Sequence, residues 1–182
     1  SVTPYYNRPQ QEGLYLHFSE VAKASPVPVI LYNVPKRTGV NLLPETTRRI
    51  YDAHPEKIMG IKEACGSVEQ FCKTVQLSQG DFAVISGDDD LAYEMVKAGG
   101  AGWISVASNA WPKEMKQIVS EKDAMIQSKM GHRIHLLFVE GNPSGIKTVL
   151  TEMGMIKNIL RLPMVSCTEN TQMVIRRALA QG

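Results

Sequence analysis

The sequence has no long hydrophobic run, little excess charge and few cysteines, and each of these absences excludes a class of protein. No apolar stretch approaches the roughly 18 residues that a membrane-spanning helix needs. The formal net charge of +2 is small, and no basic cluster alternates with aromatic residues, which argues against nucleic acid as a partner. The three cysteines form no Cys-x-x-Cys pair, which favours reduced thiols in a cytoplasmic protein.

The composition and the length are those of an ordinary globular domain. The chain has 182 residues, of which 43% are hydrophobic and 21% charged, enough for one sizeable core. The first residues, Ser1 to Tyr6, lack the basic and apolar regions of a signal peptide. The sequence also begins without methionine and within a predicted strand, so we expect a fragment of a longer protein.

Short apolar runs alternate with amphipathic segments over the first 106 residues. The spacing of hydrophobic residues and the positions of helix- and strand-breaking residues predict where strands and helices lie. The predicted strands are 2–6, 27–32, 57–62, 82–86 and 103–106, and the predicted helices are 10–23, 44–53, 67–77, 89–98, 112–127, 130–140, 144–153 and 169–181.

This alternation predicts right-handed βαβ units and an α/β fold with a parallel sheet. Residues 1–110 hold the predicted strands and form the (β/α) part of the chain, and residues 111–182 form its last helix and a helical C-terminal extension. Five strands are too few to close a (β/α)₈ barrel, which typically needs about 250 residues. No Gly-x-Gly-x-x-Gly loop follows any strand, which disfavours a dinucleotide-binding fold.

Three chemically distinct side chains fall where predicted strands end. Lys62 closes the run Ile58 to Ile61, Tyr32 closes the preceding strand, and Arg37 follows in a short loop. Barrel chemistry gathers at the carboxyl ends of strands, and burial favours the neutral amine of a lysine, which can attack carbonyls. The pattern therefore indicates imine chemistry on an anionic substrate.

Each of these residues also has a simpler interpretation. Lys62 can be a surface lysine with a buried stem, Tyr32 a half-buried phenol, and Arg37 a solvated loop residue. The run Asp88–Asp90 is more typical of a helix cap than of a metal site, and we expect no metal.

Several motifs, in order along the whole chain, resemble the dihydrodipicolinate synthase family of class I aldolases, which includes N-acetylneuraminate lyase. They are Thr3-Pro4-Tyr5-Tyr6-Asn7, Tyr32-Asn33-Val34-Pro35-Lys36-Arg37-Thr38-Gly39, Gly60-Ile61-Lys62-Glu63-Ala64, Ser86-Gly87-Asp88-Asp89, Gly102-Trp103-Ile104-Ser105-Val106, Asn142-Pro143 and Leu160-Arg161-Leu162-Pro163. The resemblance implies a (β/α)₈ barrel of TIM type with a C-terminal helical region, of which this chain is similar to the part from the fourth strand onward. The threonine of the family's Thr-Thr-Gly motif has no counterpart here.

The resemblance also implies a role for each site residue. Lys62 would form a Schiff base with pyruvate, Tyr32 would shuttle protons beside it, and Tyr6 would reach across a dimer interface into a neighbour's site. Arg37 would bind the carboxylate of aspartate semialdehyde, and the backbone at Gly87 and Ile104 would contact pyruvate.

The implied reaction condenses pyruvate with L-aspartate 4-semialdehyde in lysine biosynthesis, with no cofactor beyond the covalent imine on Lys62. The implied partners are these small molecules and further copies of the chain, as a homo-oligomer, without nucleic acid or membrane. Two alternatives stay open: a pyruvate-dependent aldolase that acts on a sugar acid, and an inactive fragment of the synthase that associates with a full-length subunit.

Overall fold

The computed structural model describes residues 1–121 and 123–180. Within them, the packing separates a unit from Ser1 to Ile104 from a unit that begins at Ser105. The boundary predicted after residue 110 stays a prediction.

Strands and helices alternate through the first unit, and the second unit is helical. The strands are β1 (Val29–Asn33), β2 (Ile58–Glu63), β3 (Ala83–Ser86) and β4 (Gly102–Trp103). The helices are α1 (Gln11–Ala24), α2 (Pro35–Thr38), α3 (Pro44–Ala53), α4 (Val68–Ser78), α5 (Ala92–Lys97), α6 (Pro112–Glu121), α7 (Ala124–Leu136), α8 (Ser144–Glu152) and α9 (Glu169–Ala180), with a 3₁₀ turn at Ala107–Asn109.

The four strands form one parallel sheet in the order β1-β2-β3-β4. Every sheet neighbour is therefore also the next strand along the chain, with at least one helix in each connection, as βαβ units require. The predicted α/β fold with a parallel sheet is confirmed.

One face of this sheet carries the core of the first unit. Leu31, Ile61 and Val84 lie side by side on neighbouring strands and are buried. The helices supply the other half of the core through residues at helical spacing, such as Leu14 and Phe18 of α1. This apolar packing fixes the strands whose ends carry the candidate site.

The strand predicted over residues 2–6 does not form. Val2 makes only an isolated parallel bridge to Tyr32, while Thr3 N donates to Tyr32 O at 3.0 Å and Tyr32 N donates to Ser1 O at 2.7 Å. The backbone then leaves the extended region, since Tyr6 has a φ of 72°, and a ladder cannot continue through such a residue. The segment is still tied to the edge of β1.

The predicted elements around residue 100 are too long. The strand predicted over 103–106 is only the two residues of β4, because after Trp103 just one further ladder bond, from Ile104 N to Ser86 O, is made before the chain turns. The helix predicted from Asp89 begins at Ala92, and its N-cap residue, Leu91, makes no side-chain cap.

In the second unit, the predicted break between the first two helices is misplaced. The sequence prediction ran one helix over 112–127 and the next over 130–140, but α6 ends at Glu121 and α7 begins at Ala124. The reason is local: the Asp123 carboxylate accepts hydrogen bonds from Met125 N at 2.7 Å and Ile126 N at 3.2 Å, which is an N-cap. Residues 122 and 181, which fell within predicted helices, lie outside the described residues.

None of the helices built from residues 1–121 and 123–180 is both long enough and apolar enough to cross a membrane.

Candidate active site

Lys62 and Tyr32 lie side by side at the carboxyl ends of neighbouring strands. They are direct register partners in the β1–β2 ladder, so their side chains leave the same face of the sheet. The Lys62 Nζ lies 4.3 Å from the centroid of the Tyr32 ring. The structure therefore brings the predicted amine and the predicted phenol together.

The surroundings of Lys62 favour its uncharged form. Burial of the half-exposed side chain lowers the pKa of the Lys62 amine below its usual value. The carboxylates of Asp89 and Asp88 oppose this shift, since they favour the ammonium, and the Arg37 guanidinium adds to it. Burial is the largest of these effects, so the amine is nucleophilic at lower pH than an exposed lysine.

Burial favours the neutral form of Tyr32 as well. Burial raises the pKa of its phenol above the usual value, with a smaller lowering by Arg37. Tyr32 therefore keeps its proton at neutral pH and can donate it to an oxygen or nitrogen held near Lys62.

Arg37 lies in a short helix that the sequence analysis took for a loop. The helix α2 begins with Pro35, whose fixed φ suits a first helical position, and ends at Thr38, after which Gly39 forms the C-cap at a φ of 78°. Arg37 is exposed on this turn, near enough to influence the pKa values of both Lys62 and Tyr32. A guanidinium in this position is suited to a carboxylate ligand.

Gly87 lies against the Lys62 side chain. A Cβ atom at this position would come within 2.9 Å of Lys62 Cε and 2.7 Å of Ala64 Cβ, so only glycine leaves Lys62 in place. Gly87 N donates to Glu63 O at 2.8 Å. Ile104 directly follows β4. Its N donates to Ser86 O at 2.9 Å, and the residue is 48% exposed.

Tyr6 is not packed into this cluster. Its side chain is 87% exposed, and its backbone N donates to Thr38 O at 3.3 Å, next to Arg37. The structure thus places Tyr6 on the rim near α2, with its phenol in solvent. The roles predicted for Lys62, Tyr32, Tyr6, Arg37, Gly87 and Ile104 stay predictions.

A buried polar cluster, which was not predicted from the sequence, lies behind the site. Asn33 and Glu63 follow Tyr32 and Lys62, so they leave the opposite face of the sheet, and both are fully buried. Asn33 Nδ2 donates to both Glu63 carboxylate oxygens, at 2.9 and 3.1 Å. The available signal was the position of two polar residues at strand ends, on the face that otherwise carries the core.

Gln70 belongs to this cluster as well. Ser67 and Gln70 have the sequence spacing of a capping box, in which the Gln70 side chain would return to the Ser67 amide. The Ser67 hydroxyl does cap α4, since it accepts from Gln70 N at 3.1 Å. The Gln70 side chain instead donates to Glu63 at 3.1 Å and exchanges hydrogen bonds with Asn41.

No group of three or more His, Cys, Asp and Glu side chains suited to a metal ion occurs in residues 1–121 and 123–180.

Known proteins resemble the chain in both sequence and structure. The model of the Dihydrodipicolinate synthetase family matches residues 1–182. A 4-hydroxy-tetrahydrodipicolinate synthase from Flavobacterium psychrophilum is 46% identical over 93% of this chain and 60% of its own length. The crystal structure of dihydrodipicolinate synthase from Thermotoga maritima matches with a TM-score of 0.95 and 43% identity, over 99% of this chain and 64% of that one.

A third similar protein carries a ligand. The chloride-inhibited dihydrodipicolinate synthase of Acinetobacter baumannii, solved in complex with pyruvate, matches with a TM-score of 0.92 and 40% identity, over 98% of this chain and 63% of that one. The chain therefore spans about 60% of the length of the relatives it matches, and over that span the expected fold of (β/α)₈-barrel type is confirmed. With its family model matched from the first residue to the last, the chain belongs to the dihydrodipicolinate synthetase family.

Proposed function

We propose that this chain carries the Schiff-base site of an enzyme that condenses pyruvate with L-aspartate 4-semialdehyde in lysine biosynthesis. The observation that carries the proposal is the half-buried Lys62 amine, with its pKa lowered by burial, 4.3 Å from the centroid of the Tyr32 ring. A relative 46% identical is named for this synthase activity, and a similar structure holds pyruvate.

Lys62 is the nucleophile in this proposal. Its neutral amine attacks the ketone carbon of pyruvate, and the carbinolamine loses water to give a protonated imine. Loss of a proton from the methyl carbon converts the imine into an enamine, which forms the new carbon–carbon bond at the aldehyde carbon of the second substrate. No metal or organic cofactor takes part, because the imine nitrogen itself accepts the electron pair.

Tyr32 moves protons in these steps. Because burial raises the pKa of its phenol, Tyr32 is protonated when pyruvate binds and can donate a proton to the departing hydroxyl group. Tyr6, on the exposed rim, would act on the site of a second copy in a homo-oligomer.

The remaining site residues hold the substrates. Arg37 binds the carboxylate of the aldehyde substrate, with the two parallel hydrogen bonds that guanidinium and carboxylate groups form. Backbone groups at Gly87 and Ile104 contact pyruvate. The protein would act in the cytoplasm, where reduced cysteines such as Cys65 persist.

The test is covalent trapping of pyruvate. The chain is incubated with pyruvate and borohydride, which reduces an imine to a stable amine, and the intact mass and the modified peptide are measured. We expect one reduced adduct on Lys62 and none in Lys62→Ala. A matched control, Lys57→Ala, changes a lysine just before the same strand and should leave trapping unchanged.

Adducts spread over several lysines, or one that persists in Lys62→Ala, would refute the assignment. The second substrate is tested by turnover with aspartate semialdehyde and with sugar acids. Selective loss of the aldehyde reaction in Arg37→Ala, with pyruvate still trapped on Lys62, is the result that this role of Arg37 predicts.

A further inference from the structure

Glu63 is a buried carboxylate that the chemistry proposed above does not use. It is 0% exposed, on the helix-covered face of β2, directly after Lys62. The described part of the chain supplies no salt bridge to it. A buried anion without a cationic partner is costly, so stability alone explains Glu63 poorly.

The carboxylate of Glu63 accepts hydrogen bonds from N–H groups of three residues, and the Cys65 thiol is a further donor to it. Asn33 Nδ2 donates to both oxygens, at 2.9 and 3.1 Å, Cys65 N donates to Oε1 at 2.9 Å, and Gln70 Nε2 donates to Oε2 at 3.1 Å. An ionised carboxylate, which only accepts, satisfies all of these donors. These hydrogen bonds lower the pKa of the Glu63 carboxyl, against the larger effect of burial, which raises it.

The donors come from separate parts of the unit. Asn33 ends β1, Cys65 lies in the turn after β2, and Gln70 lies in the first turn of α4. Asn33 also accepts from Leu42 N at 3.0 Å, so the loop before α3 is attached to the same cluster. The carboxylate thus joins the ends of β1 and β2 to the loops that surround them.

The main chain at Glu63 extends this connection to the other side of the site. Its carbonyl oxygen accepts from Gly87 N at 2.8 Å, and Ala64 N donates to Asn33 O at 2.8 Å. Tyr32 and Lys62 directly precede the anchored Asn33 and Glu63, and Gly87 is itself bonded to Glu63. Their relative placement therefore depends on the cluster behind them.

We propose that Glu63 is a positioning residue for the imine-forming lysine: its carboxylate, held by Asn33, Gln70 and the Cys65 amide, fixes the ends of β1 and β2 so that the Lys62 amine stays beside Tyr32 and Gly87. The inference rests on the proposed function where it is tested by the rate of pyruvate trapping. Its test by hydrogen exchange does not depend on that function.

The main variant is Glu63→Gln, which keeps the shape and replaces one oxygen with an NH₂ group. That group would face N–H donors, and the Asn33 amide cannot turn over without losing its bond to Leu42 N. At a temperature at which the variant is folded, we expect the limiting rate of pyruvate trapping to fall about ten- to a hundred-fold, as a misplacement near 1 Å would cause.

The kinetics separate positioning from loss of folded protein. The pyruvate concentration for half-maximal rate should stay within about twofold of the wild-type value. Partial unfolding would instead reduce the amount of adduct and leave the rate per folded molecule unchanged, which would overturn the inference.

Hydrogen exchange gives the structural readout. Glu63→Gln should speed exchange at the Ala64 and Gly87 amides and leave the Val29 amide, which donates to Lys57 O at the opposite end of the sheet, unchanged. Equal exchange at Ala64 and Gly87 in both proteins would refute the inference, whether or not pyruvate is trapped. Absence of trapping in the wild type, with the exchange effect present, would refute only the proposed function.

Two further variants control for folding and for the substitution itself. Gln70→Ala removes one donor at the edge of the cluster and should reduce the trapping rate about two- to fivefold, so it serves if Glu63→Gln does not fold. Glu45→Gln makes the same chemical change at an exposed carboxylate paired with Lys73 and should have no effect on either readout.

Discussion

At the scale of single residues, the proposed chemistry requires Lys62 to lose its charge although the carboxylates of Asp89 and Asp88 lie near it. Burial lowers the pKa of the Lys62 amine, and Asp89 and Asp88 partly reverse that effect. Asp89 is itself almost completely buried, at 2% exposed, where solvent screens its charge little. Asp89 is therefore the carboxylate with most influence on when Lys62 is ready to react.

The pH dependence of trapping follows from these charges. Asp89→Asn removes an anion that stabilises the ammonium, so the pKa of Lys62 should fall further, and the rising limb of the trapping rate against pH should move to lower pH. Arg37→Gln removes a cation that destabilises the ammonium, so the same limb should move to higher pH. The rate of pyruvate trapping over a pH series measures both.

The opposite signs make this a demanding comparison. Two variants that move the limb in the same direction would show that its midpoint does not report the charge state of Lys62. Trapping without the second substrate keeps the proposed role of Arg37 in binding that substrate out of the measurement.

At the scale of helices and strands, local signals predicted most of the fold. Pro44 at a first helical position set the start of α3, and the helix over 44–53 was predicted with its observed ends. The Ser67 cap likewise placed α4. Such elements are determined by residues within one turn of their ends, which a sequence displays directly.

Long-range pairing explains what the sequence analysis missed. Whether residues 2–6 form a strand depends on how far the pairing with β1 continues, and it stops after one bridge. The hydrogen bonds between Asn33, Asn41 and Glu63 depend on strand register and on a loop from elsewhere in the chain. By contrast, Lys62 and Tyr32 were predictable neighbours, because the ends of adjacent parallel strands meet at one edge.

Two glycines of the helical unit give an opposed pair of stability predictions. Gly131 lies within α7, and a Cβ there would meet nothing within 4 Å, whereas a Cβ at Gly145 in α8 would lie 2.2 Å from Leu137 O. Gly131→Ala should raise the free energy of unfolding by about 0.5–1 kcal/mol, through the helix propensity of alanine. Gly145→Ala should lower it by about 1–3 kcal/mol, as overpacking does.

Denaturant unfolding followed by far-UV circular dichroism measures both. Each variant is the control for the other, because the chemical change is the same and both positions are helical. Equal shifts in the two midpoints would contradict the packing described around Leu137.

At the scale of the whole molecule, the face of the sheet opposite the core of the first unit bears on assembly. This face carries Lys62 and Tyr32 and also the 41% exposed Ile30, and the 58% exposed Met59 lies beside Ile30 at the register shift of β2. Exposed apolar area of this kind, beside functional groups, is typical of a surface that contacts another protein. The homo-oligomer proposed above is one way to cover it.

We expect the chain to associate with itself, and its mass from size-exclusion chromatography with light scattering to rise with concentration. The double variant Ile30→Thr and Met59→Thr should shift the chain toward monomer, because it removes apolar area at strand positions where threonine is well tolerated. Leu16→Gln is the control, since Leu16 is 55% exposed on α1, away from the sheet.

A discrete dimer or tetramer that the double variant weakens and the control does not would support the homo-oligomer, because association would then depend on this face. Heterogeneous aggregates, or equal effects of all the substitutions, would contradict it, because hydrophobic association without a defined interface does not distinguish one exposed apolar residue from another.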